Sequence, residues 1–362
     1  MSVIIFFAIL GILIYKDRKN IDFKFILIMR RTKRFRNLID RIAKISPLFW
    51  KIVGTFAILI CFFYMLQGTY ILFIFQPQVQ LVLPSLSSEV SVEEWYIGIP
   101  FWTWIIVIFS ILVPHELSHG IIARAEKIKL KSVGLLLLVI FPGAFVEPDE
   151  NEVKRSKIMT KLRIFAAGSF ANFVVSFIIF YLSMYAIWPL SVNPGLLLLN
   201  VTPSGPAGMA GLRPNMMITE ANGKPVTTTY IEYLNQTSYL FDEVGEIKPN
   251  QTVNIKADGK IYNVKVAFNE TTNTTYMGVI FTPTFRVNKQ ILLPILWLLY
   301  MISLFSLAIG IVNILPIYPL DGGLMIEAIT DEFAKRRSKQ IVMTITFLVL
   351  LILVYSFVKA FL

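Results

Sequence analysis

FWTWIIVIFSILVPHELSHGIIARA, residues 101–125, decides how this chain is read. It is an apolar run of membrane-helix length, interrupted by Pro114-His115-Glu116-Leu117-Ser118-His119-Gly120. The whole sequence holds 2 His, and both fall in this stretch. Ionisable groups are costly in hydrocarbon, and in spans they are functional by default. Residues four apart share one face of a helix. His115 and His119 therefore converge on one point, with Glu116 beside them. HExxH is the zinc-hydrolase pattern, in which two His hold the metal and the Glu polarises its water. The competing structural role is a pair of polar side chains bonded between helices.

Composition sets the class. Of 362 residues, 56% are hydrophobic and 16% charged, too apolar for an ordinary soluble protein. The formal net charge of +11 suits a protein whose Lys and Arg cluster beside membrane spans and set their orientation; it does not mark a nucleic-acid partner here. The single Cys, Cys61, lies in an apolar span, where it forms no intrachain disulfide and is expected to pack.

Length and hydropathy predict about six spans, near 2–15, 52–75, 101–125, 162–188, 290–316 and 340–362. The first has a signal peptide's length but no basic residues before it and no small-residue cleavage site after it, so it reads as a retained short span. KDRKN (16–20), RRTKRFR (30–36), KIKLK (127–131), KRSK (154–157) and KRRSK (335–339) all fall on one side when six spans alternate. That side is the cytoplasm by the positive-inside rule. The loop at 76–100, with Glu89, Glu93 and Glu94, and both termini then lie outside the cytoplasm.

Between 189 and 286 the pattern changes to alternating strands such as TVNIKA and YNVKVAF, with turn signals at Asn222-Gly223 and Asp258-Gly259. A small, mainly β extracytoplasmic domain is expected. It carries sequons at Asn200, Asn235, Asn250, Asn269 and Asn273, weak pointers to glycosylation. SVGLLLLVIFPGAFVEPDE (132–150) is apolar but cut by Pro142-Gly143. Each half is too short to cross as a helix, and a membrane-inserted β-hairpin fits it, as does an interfacial loop. The expected organisation is N-terminal spans with a basic loop (1–100), a catalytic membrane core (101–188), the β domain (189–286), a second part of the core (287–330) and a C-terminal span (331–362).

Catalytic zinc needs a third protein ligand and an open fourth position. No histidine remains, so Asp, Glu or Cys must serve. NILPIYPLDGG, Asn313–Gly323, ends an apolar span in backbone that Pro316 and Pro319 keep from regular helix, and topology places Asp321 at the same side as His115 and His119. Gly322 and Gly323 permit close backbone approach. Asp321 as an N-cap of the next helix, and Glu327 as third ligand in another kind of HExxH peptidase, are the alternatives. Ligand type alone admits other divalent ions besides Zn²⁺.

HELSHG followed far downstream by NILPIYPLDGG resembles the site-2 protease family of intramembrane zinc metalloproteases. AAGSFANF (166–173) resembles that family's glycine-and-asparagine motif, giving Gly168 and Asn172, with Ser169 where the family usually has Pro. GAFVEPDE (143–150) resembles its membrane-inserted segment, which assigns Gly143, Ala144 and Phe145 to substrate contact, and Asn313 comes from the second motif. GLLLLNVTPSGPAGMAGLRPNMMITEANGKPV (195–226) resembles a PDZ domain, with Pro214-Asn215 in place of the usual Gly-Asp.

The resemblance implies cleavage of a transmembrane protein substrate within the lipid bilayer, near the cytoplasmic side. In that reading His115, His119 and Asp321 hold Zn²⁺, Glu116 moves the proton, and Asn172 donates to the oxyanion or serves as interhelical glue. A hairpin edge at Leu136 and Leu138 would pair with an unwound substrate. The PDZ-like domain would bind a C-terminal peptide or act as a size filter. The reading from another class is an inactive membrane scaffold with a PDZ peptide-binding domain. A transporter fits less well, because the spans show no repeat.

Overall fold

The computed structural model describes residues 2–18, 21–24, 27–75, 80–87, 90–93, 96–138, 141–230, 233, 250–269 and 274–359. The sequons at Asn235 and Asn273, and Glu89 and Glu94, lie outside these. The chain forms two compact units, one of residues 1–178 with 301–362 and one of 179–300.

Among the described residues, five helical stretches are long and apolar enough to cross a membrane: Pro47–Phe75, Phe101–Ala125, Ile158–Ser191, Lys289–Ile314 and Lys335–Val358. We label the long helices in them α3 (Pro47–Phe75), α4 (Phe101–Ala125), α6 (Ile158–Leu182), α9 (Lys289–Ile314) and α11 (Ser338–Val358). The expected first span is helix α1, Ser2–Lys16, of 15 residues. At 1.5 Å per residue it reaches about 22 Å, short of a hydrocarbon core of about 30 Å. Among the described residues, the count that length and composition support is therefore five.

The first unit also holds an amphipathic helix, α2 (Lys33–Ile45), a short helix α5 (Glu150–Arg155) and helix α10 (Asp321–Phe333). Its core is a layer in which Ile39 and Ala43 of α2 meet Ile121, Ile122 and Ala123 of α4 and Ile164 and Ala167 of α6. The end of α4 is built for a sharp exit. Lys127 takes φ 69°, while the Lys127 and Ile128 N–H groups donate back to the Arg124 and Ala123 carbonyls at 3.0 and 2.8 Å. This is a Schellman cap, and it turns the chain at once into strand β6.

Strands β6 (Leu130–Leu138) and β7 (Phe141–Pro148) form the expected hairpin, but Pro142 and Gly143, expected to join the two strands, lie inside β7, paired with Leu137 and Leu136. It is not a free hairpin. Strands β1 (Ile21–Lys24) and β2 (Leu27–Arg31) extend it into a four-stranded antiparallel sheet of order β1-β2-β6-β7. Leu136 pairs with Met29 on one side and Gly143 on the other, and Leu138 with Leu27 and Phe141. The expectation that Leu136 and Leu138 sit on an open edge is thus overturned. Both edges of β6 are used, and the open edges of the sheet are β1 and β7. The sequence 21–31 is too short and too charged to read as two strands, so this partner went unseen.

A three-stranded sheet, order β3-β5-β4, is made by β3 (Leu81–Ser85), β4 (Ser91–Val92) and β5 (Tyr96–Pro100) just before α4.

The second unit is built on a sheet of order β12-β11-β9-β8-β15, with β10 (Lys224–Pro225) paired to β9. The strands are β8 (Val192–Val201), β9 (Met217–Ala221), β11 (Thr252–Ala257), β12 (Lys260–Lys265) and β15 (Val279–Phe285). Asn222 and Gly223 have φ 49° and 77°, and Asp258 and Gly259 have 48° and 77°. Positive φ at both central residues is the type I′ turn that Asn-Gly and Asp-Gly favour, so the two turn signals form as expected. Alternate residues Val253, Ile255 and Ala257 point into a core with Leu196, Leu198, Ile218 and Val264. Leu196 and Leu197, near the start of the PDZ-like stretch, lie inside β8, paired to β9 on one side and β15 on the other.

Candidate metal centre

The site lies wholly in the first unit. His115 and His119 lie on one face of α4, their rings 4.8 Å apart between centroids. Asp321 reaches them from the first turn of α10. One ligand atom from each of the three lies within 4.8 Å of the others. The two Nε2 atoms are 3.2 Å apart. Asp321 Oδ1 is 3.3 Å from His119 Nε2, and Oδ2 is 3.6 Å from His115 Nε2. Ligands about 2.0–2.1 Å from a tetrahedral ion stand about 3.3 Å from one another. Each separation is close to that value, with Asp321 meeting the two imidazoles through different oxygens.

Three further features are consistent with a metal site here. Gly168 of α6 faces the imidazoles: a Cβ there would stand 2.2 Å from His119 Nε2 and 2.6 Å from His115 Nε2. Any other residue would fill the space. His119 Nδ1 lies 2.7 Å from the Ile164 carbonyl, which leaves Nε2 free to ligate. Asp321 is oriented by Ser169, whose Oγ donates to Oδ2 at 2.8 Å and whose N–H donates at 3.2 Å. Ser169 stands where proline is usual in the resembling family, and proline offers neither donor. Carbonyl and hydroxyl partners of this kind fix ligand orientation in metal sites.

Asn172 is fully buried, with Nδ2 3.2 Å from His115 Nδ1. Its Oδ1 has no hydrogen-bond partner among the described residues. A neutral His that ligates through Nε2 carries its proton on Nδ1 and must donate there. Turning the amide by 180° exchanges O and N, lets Oδ1 accept that proton, and frees Nδ2 to donate.

Asp321 is no N-cap. It is the first residue of α10, and the capping position belongs to Leu320. The approach depends on the glycines: a Cβ on Gly322 would fall 2.0 Å from the Ile314 carbonyl oxygen, and one on Gly323 2.4 Å from the Ile317 carbonyl carbon. Among the described residues Glu327 is not part of the cluster, and Asn313 is half-buried near the end of α9. Cys61 is buried against the Ala166 carbonyl and packs, as expected.

Glu116 also meets the sheet. Its Oε2 accepts the Val146 N–H of β7 at 3.0 Å. Gly143, Ala144 and Phe145 lie on the same strand, and Gly143 is covered by Leu136. Sequence reading missed Ser169, the Ile164 carbonyl and the Val146 N–H. Two of these are backbone groups that any residue offers, so only Ser169 had a signal, its departure from proline.

A multi-pass helical chain with a His, His, Asp cluster behind an HExxH glutamate is, as a class, a zinc metallopeptidase of the membrane. Comparison with known proteins agrees. Residues 103–353 match the model of peptidase family M50, and the chain belongs to that family. An uncharacterized protein of Methanocaldococcus jannaschii is 27% identical over 346 residues, 93% of this chain and 87% of the relative.

Proposed function

We propose that this chain is an intramembrane zinc protease that cleaves transmembrane segments of membrane proteins near the cytoplasmic side of the cell membrane. The observation that carries the reading is the His115–His119–Asp321 cluster, held on apolar helices with Gly168 keeping its ion space open. When bound, zinc would supply Lewis acidity, lowering the pKa of a water toward neutrality and polarising the scissile carbonyl. Glu116 would take a proton from the attacking water and deliver it to the leaving amine. The Val146 N–H holds the carboxylate in place for both transfers. Asn172 orients His115 through Nδ1 and offers its freed N–H to the developing oxyanion, a contribution of about 3 kcal/mol in comparable holes.

A helical substrate hides its peptide bonds and must unwind first. Strand β7 is suited to receive it. The Val146 N–H points away from β6, so by the alternation of the pleat the Ala144 backbone groups face the same open side. A substrate strand added there would lie beside Glu116. This moves the pairing edge from Leu136 and Leu138 on β6 to Ala144 on β7.

The second unit is the candidate PDZ-like domain, outside the cytoplasm if the basic loops lie inside. Because β8 is paired on both sides, a peptide that adds a strand must use β15 or β12. Deleting 195–285 separates its two roles. A size filter predicts cleavage of large uncut substrates, and a required receptor of C-terminal peptides predicts loss.

The deciding experiment reconstitutes the protein in liposomes with a single-span substrate. The parent is expected to cut within the span, and Glu116→Gln to bind zinc and cut nothing. Equal cleavage by Glu116→Gln would end the protease reading.

A further inference from the structure

Helix α2 is a basic amphipathic helix whose inner face is already engaged. Ile39 and Ala43 are buried against α4, and Asp40 Oδ1 accepts from Arg124 Nε at 2.5 Å. Its start is capped by Thr32, whose Oγ1 accepts the Arg34 N–H at 3.2 Å. A second apolar stripe stays partly exposed among the described residues. Phe35, Leu38 and Ile45 follow helical spacing, and Ile45 is 79% exposed. The stripe continues into α3 through Leu48, 70% exposed, and Phe49. Arg34, Arg41 and Lys44 are exposed beside it, and among the described residues they form no ion pair. Asp40 is the helix's one acidic residue, and Arg124 already holds it.

Only Ser46 separates α2 from α3, which is apolar over 29 residues. A helix joined so closely to a membrane span sits where water meets hydrocarbon. An apolar stripe flanked by unpaired cations, at that depth, matches a layer of acyl chains under anionic phosphates. We propose that α2 lies in the plane of the membrane, its Phe35–Leu38–Ile45 stripe in the acyl region and Arg34, Arg41 and Lys44 on anionic phospholipid headgroups.

The seat bears on the metal helix. Ile39 packs on Gly120, next to His119, so closely that a Cβ at 120 would stand 2.9 Å from Ile39 Cδ1. The inference rests on α3 crossing the bilayer and not on proteolysis.

The test reads lipid contact, so its failure is distinct from a failure of the protease reading. Full-length protein with Cys61→Ala is spin-labelled at single cysteines replacing Phe35, Leu38, Ile45, Asn37 or Lys44. It is placed in phosphatidylcholine bilayers with and without phosphatidylglycerol. Labels at 35, 38 and 45 are expected to collide with oxygen more than with a water-soluble nickel chelate, and labels at 37 and 44 the reverse. Energy transfer from a dye at position 45 should favour labelled phosphatidylglycerol over labelled phosphatidylcholine. That preference should fall by about fivefold for each of Arg34→Gln, Arg41→Gln and Lys44→Gln, the size of one basic residue at an anionic surface. Arg34→Lys/Arg41→Lys should keep it. Nickel access at 35, 38 and 45 equal to that at 37 and 44 would overturn the proposal. So would access to neither reagent, which marks a protein partner or a second copy, and so would equal contact with both lipids.

Discussion

Glycine serves opposite ends in the two units. At Gly168 the backbone is ordinary helix and the missing atom is what matters, because the imidazole nitrogens occupy the place of its Cβ. At Gly223 and Gly259 nothing lies within 4 Å of a Cβ, and the positive φ is what matters. The metal region is thus limited by space between distant segments, the β unit by local backbone geometry. Substitutions should therefore fail differently: in the first by losing metal with the fold intact, in the second by losing stability with the metal intact.

The sharpest break of that contrast is Gly168→Ala. It should reduce zinc from about one per chain to none and abolish cleavage, while helicity by circular dichroism stays unchanged. Zinc retained at parent level would show that the cluster opens to accommodate a methyl, and the space argument would go. Asp321→Ala should match it, whereas Glu327→Ala should keep its zinc, a pair that metal analysis of purified protein separates directly.

Next in size is the strand comparison. Ala144→Pro removes an N–H from the open side of β7 and should cut cleavage sharply with zinc retained. Leu136→Pro removes one from the inner ladder of β6 and should destabilise the sheet, lowering expression and helix protection together. Equal behaviour of the two variants would show that β7 is not the receiving edge. Ser169→Ala should weaken zinc affinity by about 10–100-fold, as loss of a ligand's orienting partner does, read by competition with a chelator.

In the β unit, Gly223→Ala should cost about 1–2 kcal/mol through its left-handed backbone, visible as faster amide exchange in β9 and β11, with zinc content untouched. The smallest effect concerns Asp149, the N-cap of α5. Its carboxylate accepts the Glu152 and Asn151 N–H groups, and the first of these leads in holding its pKa below the usual value. A depressed folded pKa stabilises above the unfolded value and is lost as pH falls through the folded one. Protection of 150–155 should therefore be flat near neutrality and fade in acid, and Asp149→Asn, which keeps a capping oxygen, should flatten the profile.

Much was legible because the signals are short-range. Spans depend on mean hydropathy over about 18 residues, and His115, Glu116 and His119 share a face by helix geometry alone. Asn222-Gly223 and Asp258-Gly259 specify their own φ. Elimination left only an acid or Cys61 as third ligand, and the proline-broken stretch NILPIYPLDGG singled out Asp321 as the candidate. What escaped is long-range. β2 claims one edge of β6 from more than a hundred residues away, and nothing in LIMRR announces it. The partners of Glu116 and His119 include backbone groups at Val146 and Ile164 that carry no residue-specific mark.

The sequence by itself determined that this is an apolar, multi-pass chain bearing an HExxH metal motif and a distant LDGG acid, because those properties are local and periodic. Only the tertiary structure decided that the acid meets the imidazoles over Gly168, that Ser169 aims it, and that β7, not β6, is left open beside Glu116. Those depend on which surfaces of separate helices and strands touch, and that is set by packing of the whole unit.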